Sequence, residues 1–418
     1  MSPAIISILI VVVLAVFFIW DKFPVAWVAL AGAIIMGLLG YITQAQVFSG
    51  MASSNPVLLG SMMIVGGACF RTGLARKMAD MMIKVTGRSE GGILLALMIV
   101  SGLFSTICSN VGTIVTMLPI IMSICKETRV SPSRIIMPVG YAICAGGVVT
   151  LVGTGSSPAC NSALEGLGME GFGFLDFAVI GIPLTILTIL FFATIGRRMI
   201  PDRSIDEYDL SKIEEGSGDK VKMTITAVVL IAVVAVMAIN PSGIKLYMTS
   251  SIGAAILIFT GCISEKQAYQ SISWPTVFLA GAMIAVGNGL TNAGGGQLIA
   301  DFCKKLLSNN PSPYLIITVI FIATTLLSQF MSNVSVGTLM IPIAVYIAQG
   351  INCNPMTMAM VVAFGCNAAF MTPIGTPAFV IACDEGKYKF MDFVKCGLPI
   401  TIINYILVLI LTPIFWQF

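Results

Sequence analysis

Residues 105–119 read STICSNVGTIVTMLP, and residues 328–342 read SQFMSNVSVGTLMIP. Each stretch lies in the middle of a long apolar run, at about 90–125 and 313–349, where polar residues are costly. Ser-Asn-Val recurs at 109–111 and 332–334, a Ser stands five residues before each Asn (Ser105, Ser328), and a Pro stands nine after it (Pro119, Pro342). The match continues downstream. Leu151-Val152-Gly153-Thr154 aligns with Pro373-Ile374-Gly375-Thr376, and Phe174-Leu175-Asp176-Phe177 with Phe390-Met391-Asp392-Phe393. Gly181-Ile182-Pro183 likewise aligns with Gly397-Leu398-Pro399. Apolar helices that resemble one another by chance do not keep Asn, Gly, Pro and Asp in step, so the pattern reads as an ancient internal duplication.

Composition sets the frame for these stretches. Of 418 residues, 57% are apolar and only 10% are charged, far from the roughly 25% charged residues of a soluble domain. A span needs about 20 mostly apolar residues. That ruler finds runs at 3–20, 23–41, 55–72, 135–160 and 174–196, then at 223–239, 245–262, 274–291, 356–383 and 392–416. Residues 3–20 read as a retained first span, because no basic stretch and no small-residue cleavage site accompany them.

Charge placement decides how the two interrupted runs are read. If both turn back as re-entrant hairpins, only Lys245, Lys304 and Lys305 of the 22 basic residues fall on one side of the membrane. The basic side is then the cytoplasm, and both termini face outward. Making either run a full crossing mixes the charges.

The expected architecture is an all-α polytopic membrane protein with ten transmembrane helices and two re-entrant hairpins. Residues 1–196 form the first repeat, 197–222 a cytoplasmic linker and 223–418 the second repeat. Five crossings per repeat, an odd number, place the two copies upside down to one another, an arrangement common in secondary transporters.

A hairpin tip at membrane depth must be buried in protein or line a watery cavity. It also ends one short helix and begins another. Free N–H groups at a helix start suit an anion, while free carbonyls with Ser and Asn oxygens suit a hard cation such as sodium. A single Asn, with one acceptor and two donors, can serve both. Plain helix capping by Ser and Asn is compatible with that role. Gly-Thr breaks at 145–158 and 369–377 expose further carbonyls, and Gly-mediated helix packing is the simpler reading there.

No charged residue falls at the centre of a span; Arg71, Asp176 and Asp392 sit near ends, where snorkelling or capping accounts for them. That speaks against a carboxylate proton relay. The chain has no His and its eleven Cys form no CxxC pair, so a zinc, haem or triad enzyme does not fit. A net charge of +3 gives no reason to expect nucleic acid, and nothing resembles a sensory domain.

The Ser-Asn tips, the Gly-Thr-Pro breaks and the closing KYKFMDFVKCGLP (387–399) resemble the divalent-anion/sodium symporter family of the wider ion-transporter superfamily, over about residues 23–416. The resemblance implies a homodimer, a scaffold domain with a mobile transport domain carrying both hairpins, and elevator-type movement in the cell (inner) membrane. It implies coupling to sodium, with Ser105, Ser109, Asn110 and Gly153 at one site and Ser328, Ser332, Asn333 and Gly375 at the other. Substrate would meet Asn110, Val111, Thr113, Thr154, Asn333, Val334, Thr376 and Pro377. Its implied substrates are succinate, malate, fumarate, citrate or sulfate. A sodium-independent anion exchanger, and an antiporter or metalloid exporter of the same superfamily, are the alternatives.

Two departures bear on the substrate. The family's Ser-Asn-Thr is Ser-Asn-Val in both copies (Val111, Val334), and its Thr-Pro-Pro-Asn run becomes Thr154-Gly155-Ser156-Ser157 and Thr376-Pro377-Ala378-Phe379. Two hydroxyl donors to a carboxylate are therefore gone, each worth roughly 1.5–3 kcal/mol. Their loss points to a different or less polar substrate, or to compensation by Thr113, Ser335 or Thr338.

Overall fold

Every expected span is helical in the computed structural model, which describes residues 2–20, 22–203, 219–239, 243–306 and 312–417. Residues 204–218 of the expected linker lie outside the described residues. The first half forms α1 (Pro3–Trp20), α2 (Val25–Leu38), α3 (Gln44–Ser49), α4 (Ser54–Arg71), α5 (Leu74–Thr86), α6 (Glu90–Ser105), α7 (Asn110–Thr128), α8 (Ser133–Gly147), α9 (Ser156–Glu165) and α10 (Ala178–Ala193). The second forms α11 (Lys220–Ile239), α12 (Leu246–Phe259), α13 (Glu265–Ser271), α14 (Trp274–Asn292), α15 (Gly295–Leu306), α16 (Pro313–Ser328), α17 (Asn333–Gly350), α18 (Pro355–Cys366), α19 (Pro377–Gly386) and α20 (Phe390–Phe415).

The α-helices run in the same order in both halves, and small local devices recur with them. Capping boxes start α3 (Thr43 with Gln46) and α13 (Ser264 with Gln267), each satisfying two otherwise unpaired helix N–H groups. Left-handed Gly73 and Gly294 precede α5 and α15, which the sequence left as connections. The two runs expected as hairpins are α6 turning into α7 and α16 turning into α17, and in each pair the two helices touch. The spans at 135–160 and 356–383 are split into α8 and α9, and into α18 and α19.

Among the described residues, six helical stretches are long and apolar enough to cross a membrane, and α1, α2, α6, α10, α12, α16 and α18 are shorter apolar helices. Phe259 is 89% exposed and Ile231 68%. Lipid tails, not water, suit such faces. Inside, α4 packs on α12 and α14, α2 on α14, α8 on α6 and α10, and α17 on α9 and α18. Tyr141 of α8 is buried among Phe192, Phe370, Phe379 and Phe393, and its hydroxyl donates to the carbonyls of Phe370 (2.8 Å) and Phe393 (3.1 Å). That bond ties the first half to the start of the second break.

Candidate functional site

The tips are built by caps and closed by glycines. In the first, the Ser109 hydroxyl accepts from Gly112 N (3.2 Å) and starts α7, while Ser105 Oγ donates to Asn110 Oδ1 (2.7 Å). In the second, Ser332 precedes α17 without a side-chain cap bond. Here Ser328 Oγ turns instead to the carbonyl of Thr325 (2.9 Å). With its carboxamide turned so that the nitrogen meets the acceptors around it, Asn333 donates to the carbonyls of Cys366 (3.0 Å) and Gly375 (3.1 Å).

The breaks lock onto the tips in matching ways. Thr150 Oγ1 donates to the Thr106 carbonyl, and Thr372 Oγ1 donates to the Gln329 carbonyl (2.8 Å). A Cβ on Gly153 would lie 2.4 Å from the Ser105 carbonyl oxygen, and one on Gly375 2.7 Å from that of Ser328. A Cβ on Gly181 would lie 2.5 Å from the Val148 carbonyl oxygen, and one on Gly397 2.0 Å from that of Phe370. Each glycine is where the backbone needs close approach, which explains why these positions stay in step between the halves.

Both tips and both breaks meet at one cavity of about 580 Å³. Of the expected residues, Ser109, Asn110, Val111, Thr154, Ser332, Asn333, Val334, Thr376 and Pro377 line it. Ser105, Gly153, Ser328 and Gly375 sit behind that surface, against one another in pairs. Thr113, expected to face substrate, does not: it is fully buried and its hydroxyl turns back to the Ser109 carbonyl (3.0 Å). Thr338 likewise bonds the Val334 carbonyl (3.0 Å), and buried Ser335 Oγ has no hydrogen-bond partner. None of the three offers its hydroxyl to the cavity in place of the threonines missing from the tips.

Three parts of the site were not legible in the sequence. The end of α4, from Met63 to Arg71, forms one wall, and Gln270 to Thr276 form another. Asn367 is the third. Its Oδ1 accepts from Ser156 Oγ (2.7 Å) and Thr154 Oγ1 (3.2 Å), while its nitrogen donates to the Ala363 carbonyl (2.8 Å). It thereby fixes the first break from the second. Asn367→Ala is expected to free both hydroxyls and weaken apparent substrate affinity by about tenfold, with a smaller change in maximal rate, because uncompensated buried hydroxyls cost roughly 1–3 kcal/mol. Uptake as a function of substrate concentration checks this.

Among the described residues no cluster of His, Cys, Asp or Glu is placed to hold a metal ion. What the tips offer is uncharged: hydroxyls, carboxamides and helix-end carbonyls, a donor set for a weakly held, hard cation. Walls made of helix ends rather than of acid–base pairs can hold a solute without transforming it. Like the family and relatives it matches, the protein is a multi-pass membrane transporter, not an enzyme.

It belongs to the citrate transporter family, whose model matches residues 15–363 and 312–417. The uncharacterized transporter YfbS of Escherichia coli K12 is 23% identical, over 94% of this chain and 95% of that one. The sodium-dependent dicarboxylate transporter SdcS of Staphylococcus aureus USA300 is 25% identical, over 95% of this chain and 83% of its own length. Solved structures share the fold, these two among them. The YdaH transporter of Alcanivorax borkumensis superposes with a TM-score of 0.69 at 12% identity, over 99% and 98% of the two chains. MtrF of Neisseria gonorrhoeae superposes with a TM-score of 0.64 at 15% identity, over 100% and 95%. The resemblance to divalent-anion/sodium symporters is borne out by these relatives.

Proposed function

We propose that the chain takes up a small di- or tricarboxylate, coupled to sodium, by an elevator-type movement in the cell membrane. The observation that carries this reading is the meeting of two Ser-Asn tips in one cavity, each backed by a Gly-Thr break. In this reading Asn110, Asn333, Thr154, Thr376 and Pro377 hold the anion, with Val111 and Val334 beside it. Sodium sits behind the tips, near Ser105, Ser109, Asn110 and Gly153 in one half and near Ser328, Ser332, Asn333 and Gly375 in the other. Relatives named as sodium-dependent dicarboxylate transporters support the pairing of cargo and ion.

The mechanism follows from which groups are fixed to which. The hairpins α6–α7 and α16–α17, with the breaks, form the moving part; helices around α2, α4, α12 and α14 form the scaffold and the contact with a second copy. The halves are inverted repeats, a reading supported by their shared helix order and paired tip bonds. Bound cation and anion neutralise one another between tips that carry no charge, so each raises the affinity for the other.

The different setting of Ser328 favours a second reading, an exchanger that uses one sodium site or none, because its hydroxyl faces backbone rather than Asn333. Radiolabelled succinate uptake into proteoliposomes separates the two. Uptake driven by an inward sodium gradient is expected. Counterflow that persists in choline supports the exchanger, and no uptake of any common carboxylate or sulfate overturns both.

A further inference from the structure

We propose that Arg71 is a specificity-determining residue: its guanidinium takes the outer anionic group of a two-headed substrate whose inner carboxylate lies at Asn110 and Asn333. This rests on the anion-carrier reading above and narrows it to dicarboxylates.

Arg71 ends α4 and, among the described residues lining the cavity that also holds both Ser-Asn tips, is the one that carries a charge. Helix α4 is held tightly against the first tip. A Cβ on Gly66 would meet Cys108 Sγ at 3.0 Å, and one on Gly112 would meet the Phe70 ring at 3.3 Å. In the conformation seen here, the base of the arginine therefore stands beside the place where the anion would sit. Among the described residues the ion pairs are Arg134 and Arg197 with Glu90, and neither involves Arg71.

A cation in the last turn of a helix commonly serves its carbonyl ends. The other half of the chain argues against that as the reason here. Helix α14 ends in the corresponding way, at Asn292-Ala293 before left-handed Gly294, as α4 ends at Arg71-Thr72 before left-handed Gly73. It needs no cation, and its Asn292 bonds the Tyr41 carbonyl (3.1 Å) outside the cavity lining. The positive charge occurs once, on the wall facing the tips.

Such a charge suits a second carboxylate. The tips present Val111 and Val334 to the cavity, beside apolar Val115, Phe70 and Met63. The amides of the two tips, with a cation behind each, converge on one carboxylate. A second carboxylate, displaced along a short carbon chain, reaches past them to the α4 wall. An arginine fork binds a carboxylate through two parallel hydrogen bonds, which an ammonium cannot reproduce.

The test compares uptake of succinate, butyrate and sulfate by the full-length protein in proteoliposomes, for wild type, Arg71→Lys and Arg71→Gln. Arg71→Gln is expected to lower succinate uptake by about tenfold or more relative to butyrate, and Arg71→Lys to fall between, because a hydrogen bond to a charged group is lost. A variant that merely folds poorly loses all solutes together, so the succinate-to-butyrate ratio is the readout. An unchanged ratio in both variants overturns the Arg71 role while leaving the anion carrier intact. A wild type that moves sulfate but neither carboxylate overturns the dicarboxylate assignment, and one that moves none of the three overturns the carrier reading itself.

Discussion

Asn110→Ala and Asn333→Ala are each expected to reduce uptake to background while the protein still reaches the membrane. Both carboxamides stand at the first residue of a tip helix and line the cavity. Asn110 Oδ1 accepts the Ser105 hydroxyl, and Asn333 reaches the carbonyls of Cys366 and Gly375. Alanine removes both the acceptor for a cation and the donors for an anion, and leaves buried partners unpaired at roughly 1–3 kcal/mol. Folding should survive the first change, since Ser109 still caps α7. Uptake normalised to the amount of protein in the membrane is the measurement, and wild-type rates in either variant would remove these residues from the site.

The second large effect concerns a residue with no side chain. Gly153→Ala is expected to abolish transport and lower the melting temperature, and to do so more severely than Gly375→Ala. A Cβ at 153 lies 2.4 Å from both the Gly147 and Ser105 carbonyl oxygens, two backbone atoms that cannot swing aside. At 375 the nearest atoms are the Ser328 carbonyl oxygen and the Ala369 Cβ, each at 2.7 Å. Overpacking of this kind costs about 1–3 kcal/mol, and relief must come from pushing the tip away from its break. Gly60, whose added Cβ meets nothing within 4 Å, provides the control, and Gly60→Ala should melt no lower than wild type. Equal behaviour of the three variants in a detergent melting assay and in uptake would count against the tip-to-break contact as the determinant.

What could be read from residue order, and what could not, follows a physical division. The tips were legible because Ser, Asn and Gln in an apolar run are expensive, and because the same arrangement occurs twice. The breaks were legible because Gly and Pro act locally on the backbone. Asn367 was not, since its meaning lies in hydroxyls of Thr154 and Ser156 more than two hundred residues away in the chain. Arg71 looked like an ordinary charged end of a span; only tertiary packing carries that end to the cavity. Thr113 was placed near substrate by the family resemblance, yet a hydroxyl in the first turn of a helix readily bonds the carbonyl four residues back, and this one does. Helices α5 and α15 were missed because the ruler for spans ignores short helices.

Neither tip carries a formal charge: Ser105 to Gly112 and Ser328 to Gly337 contain no Lys, Arg, Asp or Glu. Moving one elementary charge through 100 mV amounts to about 2.3 kcal/mol. If the tips travel as proposed, gripping surfaces that are electrically silent when unloaded make their return journey without working against the membrane voltage. Current through such a carrier then records only the algebraic sum of its passengers' charges, and the stoichiometry of ions to anion can be read from a reversal potential.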